Sequence, residues 1–546
     1  MEGRRFVRAD LIITHGSVRT MEPGAPRAEA IAIAGDKIMA VGGNEEITEL
    51  AGPGTEQINA AGRTVMPGIV DAHNHVRLGS NPAAVSLAGA ASLEEIRGRI
   101  SGHLRAHPGI DWIEGEGWNY AAVPGGKPTA SMIDEVCAGR PAWLFSYDVH
   151  TVWLNTEALR RWAVSAAHPE LPFGTAELDP VSGEPTGWVH DFATKGIHPR
   201  GERALAQVLP GYHPDAQYRR LVGNLRDAAG FGITTIVEPQ NGLDDVALFS
   251  RARAAGELRS RLVAAIFYPP DSSPELLTDV AAAKAAYNDD WLKAGPVKFY
   301  IDDVIEPRTA AMLAPYANAP GTGSLYWPPD EFAQLIIRVE ELSLQAFVHA
   351  TGDRGIRTVL DGVQAARRAH GPRDARHQIV HVECLDPADL PRFRELGVIA
   401  CMQPRHCAPD LVAEWRANVG PARQRYAWAM RSLADTGAVL AFSSDWNVAE
   451  MNPMIGIYTA LTRADLRGAG AWNTGETLDL GRTLRAYTYG GAYANFAEHN
   501  RGTLRAGKLA DVIVLSEDVH QIPEQRIPHT TVTHTIVGGQ IVHRQA

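Results

Sequence analysis

The sequence predicts an α/β fold, a (β/α)8 TIM barrel joined to a small β-sandwich domain built from both chain termini. Three observations carry that expectation. The middle of the chain alternates short apolar runs with helical stretches. Both ends read as short strands with tight turns. No Gly-x-Gly-x-x-Gly follows an early strand, as it would in an open nucleotide-binding sheet. A chain of 546 residues has room for a large barrel with insertions and one satellite domain.

The small domain is expected over residues 1–65 plus 495–546. Leu11–Ile13, Ala30–Ala34 and Lys37–Val41 are apolar or alternating, with Gly35-Asp36 as a hairpin turn. Asp511–Leu515, Thr530–Val537 and Gln540–Val542 repeat that texture, with Gly538-Gly539 as a turn. The barrel is expected over 66–494, on eight runs: Val65–His75, Ala142–Tyr147, Ile233–Glu238, Val297–Ile301, Gln345–His349, Gln378–Glu383, Val398–Gln403 and Val439–Asp445. Helices are expected at Tyr218–Ala229, Asp330–Leu342, Gly355–Ala369, Pro387–Leu396 and Tyr426–Thr436. Insertions at about 78–140 and 150–215 follow the first two runs and are expected over the barrel mouth. The second contains Leu178–Trp188, which reads as a hairpin turning at Ser182-Gly183.

Composition limits the partners. Hydrophobic residues make up 45% and charged residues 21%, and the net charge of −11 includes no basic block. Nucleic acid and anionic membrane are therefore not expected as partners, whereas a small-molecule substrate is. The opening residues lack the apolar core of a signal peptide, and no apolar run is long enough to span a membrane. The four cysteines are too scattered for a disulfide framework, so a cytoplasmic protein is expected. Cys401, His406 and Cys407 form a loose cluster without a Cys-x-x-Cys knuckle and read as buried thiols beside a loop. The sequence leaves open whether the chain forms a homo-oligomer.

Ligand-type residues recur at the ends of the predicted strands. His73 and His75 lie two apart on an extended run, which turns both to one side, where imidazoles converge on one ion. Lys298 lies on the fourth run, His349 ends the fifth, His381 lies near the end of the sixth and Asp445 closes the eighth. Each has a plain alternative: a hydrogen-bonded histidine, a capping aspartate, or Lys298 paired with Asp302 or Asp303. Their shared placement at strand ends favours a metal site. No Gly-x-Ser-x-Gly elbow supports a serine nucleophile.

With Pro67–His75, Arg308–Ala311, Val348–Asp353, Arg376–His381, Ser443–Asp445, Ala486–Thr488 and Gly502–Asp511 in this order, the chain resembles the amidohydrolase superfamily and, within it, the amidohydrolase-3 group of YtcJ-like proteins. The resemblance covers nearly the whole chain. It implies a metal-dependent amidohydrolase that cleaves a C–N bond other than a peptide bond with metal-activated hydroxide. His73, His75 and Asp445 would hold one divalent metal, Zn2+ by ligand type, and His349 and His381 a second. Lys298, as a CO2-derived carbamate, would bridge them. Asp445 would move the proton from water to the leaving nitrogen. The chain departs from many relatives in having Asp302-Asp303 after the lysine strand, where they have Asp-Gly.

Trp118, Tyr120, His150, Trp188, Glu238, Tyr300 and Trp327 are candidate substrate contacts because they lie in or near the predicted mouth. Their aromatic character favours a substrate with a hydrophobic or aromatic N-substituent. A deaminase or cyclic-amide hydrolase of the same superfamily is the alternative, and a non-catalytic scaffold a third reading that His73, His75, His349, His381 and Asp445 together argue against.

Overall fold

Eight short runs, buried along their length and rich in Val, Ile, Phe and Ala, lie side by side in parallel, as strands covered on both faces must. They are β1 (Ile69–Asp71), β2 (Ile233–Asn241), β3 (Arg261–Phe267), β4 (Leu292–Tyr300), β5 (Gln345–Ala350), β6 (Gln378–His381), β7 (Ile399–Met402) and β8 (Leu440–Phe442). Each pairs with the next in chain order. The seam between first and last closes through Ala72 N to Phe442 O at 3.3 Å and Asp445 N to His73 O at 2.8 Å. This computed structural model describes residues 8–79, 81–196, 199–466 and 470–545. It makes the expected barrel, and inward side chains fill it: Val237, Val263, Ala265, Phe347, Val380, Ile399, Cys401 and Ala441 share one cluster with Ala72 and Ala494.

The chain divides into two compact units, Met1–Asn74 with Leu225–Pro239 and Phe249–Ala546, and His75–Asn224 with Gln240–Leu248. The first holds the barrel and two sheets drawn from the chain ends. One sheet has four strands in the order Lys37–Gly42, Ala30–Ala34, Leu11–Thr14, Glu56–Asn59. The other has six, in which Val512–Leu515 runs antiparallel to Thr64–Pro67 and to Val532–Val537. Leu11, Ile13, Ile31 and Ile33 of one sheet share an apolar cluster with Val18, Val65, Val512 and Ile536 of the other. The second unit carries its own seven-stranded sheet, built around Ile113–Trp118, Ala142–Ser146, Val152–Leu154 and Pro185–His190. The hairpin expected at Ser182-Gly183 is there, with Gly174–Leu178 antiparallel to Pro185–His190 and Gly183 at φ +75.

Three strand expectations are corrected. Val65–His75 is not one strand: Thr64–Pro67 belongs to the six-stranded sheet and Ile69–Asp71 to the barrel. The bend falls at Gly68, where a Cβ would meet the Thr234 side chain at 2.1 Å, so only glycine lets the chain turn there. Ala142–Tyr147 is not a barrel strand, because it pairs with Ile113–Trp118 and Val152–Leu154 in the second unit. Consequently both predicted insertions belong to a single excursion between β1 and β2. The strand missed from sequence is β3, which begins on a charged residue. Arg261 is buried because Asp511, 250 residues away, binds its Nε and Nη2 at 2.7 and 2.8 Å. Asp511 also accepts from Gly538 N at 2.9 Å, which ties the C-terminal sheet to the barrel strand.

The expected helices form as Pro214–Gly230, Pro329–Glu341, Asp353–His370, Leu390–Leu396 and Met430–Asp435. Among the described residues no helix is long and apolar enough to cross a membrane.

Because the Arg261–Asp511 pair is buried and bidentate, Arg261→Ala should strand the Asp511 carboxylate. A loss of about 3–5 kcal/mol is expected, read as a lower denaturant midpoint at unchanged slope.

Candidate metal centre

Strand register brings the predicted residues together at the C-terminal ends of the barrel strands. Lys298 and Tyr300 alternate with Phe299, whose ring packs outward on Phe332 at 5.7 Å. Across the sheet Tyr300 stands opposite His349, and Ala350 opposite His381. Ring centroids of Tyr300 and His349 are 4.6 Å apart, those of His349 and His381 4.4 Å, and those of His73 and His381 5.4 Å. Asp445 closes the ring: its Oδ1 is 3.2 Å from His73 Nε2, and its Oδ2 is 3.8 Å from His381 Nδ1. His75, two residues past His73, opens the second unit.

The backbone is bent to achieve this. His381 and Asp445 both adopt left-handed conformations, φ +79 and +56, costly for residues with a Cβ and sustained only by strong local bonding. At Asp445 that bonding runs through Asp71, which accepts from Ser444 N at 2.9 Å, Ser444 Oγ at 2.6 Å and Asn74 Nδ2 at 2.9 Å. The end of β1 is thereby stitched to the turn carrying Asp445. Burial pushes the Asp71 carboxyl up to about 6, with the hydrogen bonds from Asn74 and Ser444 opposing it.

Outer hydrogen bonds fix two tautomers. His381 Nδ1 is 2.9 Å from Gln403 Oε1, and Gln403 Nε2 donates to Ser443 Oγ at 2.9 Å. An amide oxygen only accepts, so Nδ1 carries the proton and the lone pair sits on Nε2. By the same argument His349, whose Nε2 lies 3.0 Å from the Asp303 carbonyl, carries its lone pair on Nδ1. Burial, reinforced by His349, holds His381 well below the usual histidine range, so it is a neutral imidazole, the form that ligates.

Lys298 is wholly buried. Its Nζ lies 4.7 Å above the Tyr300 ring and 5.4 Å from that of Phe347, with no hydrogen-bond partner among the described residues. The ion pair with Asp302 considered from sequence does not form, because both Asp302 oxygens are occupied by backbone donors. Burial pulls the Lys298 ammonium down to about 8, against attraction from Asp445 and Glu238.

Sequence reasoning missed His406 as a member of this group, having weighed it only beside Cys401 and Cys407. Its Nε2 is 3.7 Å from Asp445 Oδ2 and its ring lies parallel to that of His381, 6.2 Å away. The thiols take no part: Cys407 donates to Pro404 O and Cys401 faces Ala72 O in the barrel interior. The available signal was position, since His406 lies four residues past the end of β7.

The candidate substrate contacts scatter. Glu238 is buried near the end of β2, the second barrel strand rather than the third, and Tyr300 stacks on His349. Trp327 packs on Phe299 and Tyr268, on the outward side of β4, and so serves the helix layer. In the second unit Trp118 is a core residue whose indole N–H donates to Leu144 O. Tyr120 donates to Asp148, Trp188 packs on His190, and His150 is half-buried after the strand Ala142–Ser146.

The amidohydrolase family's sequence profile matches residues 56–543, and the chain belongs to that family, making it a metal-dependent hydrolase of the amidohydrolase superfamily. It is 29% identical to protein LONG AFTER FAR-RED 3 of Arabidopsis thaliana, over 97% of this chain and 91% of that one. It is 26% identical to the N-substituted formamide deformylase of Arthrobacter pascens, over 97% of each. Among solved structures, an uncharacterized metal-dependent hydrolase from Pyrococcus horikoshii matches in fold with a TM-score of 0.73 and 21% identity, over 94% of this chain and 99% of that one.

The departure at Asp302-Asp303 is absorbed structurally. Asp302 accepts from Ala311 N, Thr351 N and Gly352 N at 2.9–3.0 Å, tying the end of β4 to the turn after β5. A Cβ at Gly355 would meet Asp302 at 2.5 Å, so glycine there admits the carboxylate. Asp303 uses its carbonyl to orient His349, while its side chain accepts from Thr309 Oγ1. Asp353 lies inside the first turn of its helix and accepts from Leu313 N, with Gly352 at the cap. Asp302→Ala should leave three buried N–H groups without an acceptor, a loss of about 3 kcal/mol or more. Thermal unfolding of the variant checks this.

Proposed function

We propose that the protein hydrolyses the C–N bond of a small N-substituted amide, a formamide in the first instance. One observation carries the reading: the Asp445 carboxylate lies between two imidazoles at the C-terminal ends of the barrel strands, 3.2 Å from His73 Nε2 and 3.8 Å from His381 Nδ1. The donor set suits a divalent ion. Lone pairs on His349 Nδ1 and His381 Nε2, the His73 imidazole and one carboxylate are imidazole-rich ligands of the kind that zinc, iron, manganese and cobalt accept. In this reading His73, His75 and Asp445 would hold one ion, and His349, His381 and a carbamate on Lys298 would hold a second.

Such an ion supplies Lewis acidity, which makes water nucleophilic near neutral pH and polarises an amide carbonyl. Asp445 then does the proton work. Its carboxylate takes the proton of the attacking water and passes it to the departing nitrogen as the C–N bond breaks, yielding a carboxylic acid and an amine. Seated on the turn that Asp71 clamps, it makes this transfer from a fixed position. Tyr300 and Phe347, beside His349 and His73, offer apolar walls near the reacting groups. The 26% identity with an N-substituted formamide deformylase supports a formyl or small acyl group on a substituted nitrogen.

Zinc-, manganese- or cobalt-supplemented protein should release formate and amine from N-substituted formamides in a panel that also holds N-acyl and cyclic amides. Failure to hydrolyse any amide under metal-replete conditions overturns the reading. Asp445→Asn should lower kcat by about 10²–10⁴ while circular dichroism stays unchanged. Gln403→Leu removes the acceptor that fixes the His381 tautomer and should weaken divalent-metal binding by about 10–100-fold, measured by equilibrium dialysis.

A further inference from the structure

His406 has no place in that two-ion arrangement, yet the fold holds it firmly. It sits in the 3-10 turn Pro404–Cys407, directly after β7. Arg405 anchors the turn, binding Asp410 through both terminal nitrogens at 2.7 Å and Glu450 through Nε at 2.8 Å. The turn's own bonds complete it: His406 N donates to Gln403 O at 3.1 Å, and Trp472 Nε1 donates to Cys407 O at 2.6 Å. A side chain on so braced a turn is directed, not merely tolerated.

The imidazole is directed at Asp445. His406 Nε2 is buried, has no hydrogen-bond partner among the described residues, and faces Asp445 Oδ2 at 3.7 Å. That gap is too wide for a hydrogen bond, but two atoms bound to one tetrahedral ion lie about 3.4 Å apart. Ligand atoms of His381, His406 and Asp445 all fall within 4.8 Å of one another. Asp445 also divides its oxygens, Oδ1 toward His73 and Oδ2 toward His381 and His406. A carboxylate so placed can serve an ion on each side.

We propose that His381, His406 and Asp445 form a divalent-metal position of their own, bridged by Asp445 to the ion at His73, which takes the second ion when Lys298 carries no carbamate. The trio needs no covalent modification, only the other His381 tautomer, with the proton moved off the Nδ1 that faces Asp445 and the Gln403 bond released, and it leaves coordination positions for water and substrate. The proposal rests on the reading that the protein works with bound divalent metal. What it adds is that the second ion does not depend on the lysine.

The experiment counts zinc per chain by elemental analysis after equilibrium dialysis of wild-type protein, Lys298→Met, and Lys298→Met combined with His406→Ala. Two ions are expected in wild type and in Lys298→Met, and one in the double variant. Replacing His406 by aspartate in the Lys298→Met chain should restore the second ion, which separates a ligand role from a merely structural one. Fewer than two ions in Lys298→Met, or no loss on adding His406→Ala, overturns the proposal while leaving the metal hydrolase reading intact. A wild-type chain that binds no zinc, manganese or cobalt overturns both.

Discussion

Asp71 is the constraint on which the centre depends. Its buried carboxylate binds the backbone and hydroxyl of Ser444 and the side chain of Asn74, and so holds the two ends of the barrel seam together. Together with the bond from Asp445 N to His73 O at 2.8 Å, that clamp holds His73 on one side and the left-handed Asp445 on the other. A closed barrel makes this possible, because its first and last strands are neighbours in space while lying at opposite ends of the sequence.

The centre is assembled by outer contacts as much as by its own residues. Gln403 sets the proton on His381, the Asp303 carbonyl sets it on His349, and Asp302 ties the end of β4 to the turn after β5. These partners lie in the turns after β4 and β7, so the register of those strands with β5 and β6 decides which nitrogen of each imidazole carries the proton. Burial acts in the same direction, keeping His381 neutral and its lone pair available.

Much of this was legible in the chain itself. His73, Lys298, His349, His381 and Asp445 could be placed on or at the ends of strands because they fall within or close apolar runs of the right length, and the structure gathers all five in one unit. The β-rich ends were legible for the same reason, through alternation and glycine turns such as Gly35 and Gly538. Ala142–Tyr147 was misplaced because an apolar run does not declare which sheet it joins. Strand β3 was missed because its first residue is an arginine whose partner is 250 residues away.

The sequence by itself determined the fold class and the order of ligand-type residues along the strands, which are matters of local period and spacing, and its motifs carried the resemblance to the family. Only the tertiary structure decided which nitrogens carry lone pairs, that Asp302 and Asp303 build turns in place of pairing with Lys298, and that His406 faces Asp445. Those outcomes turn on distances of a few ångströms between residues far apart in the chain. No local pattern encodes such distances; they come from barrel closure and the packing that enforces it.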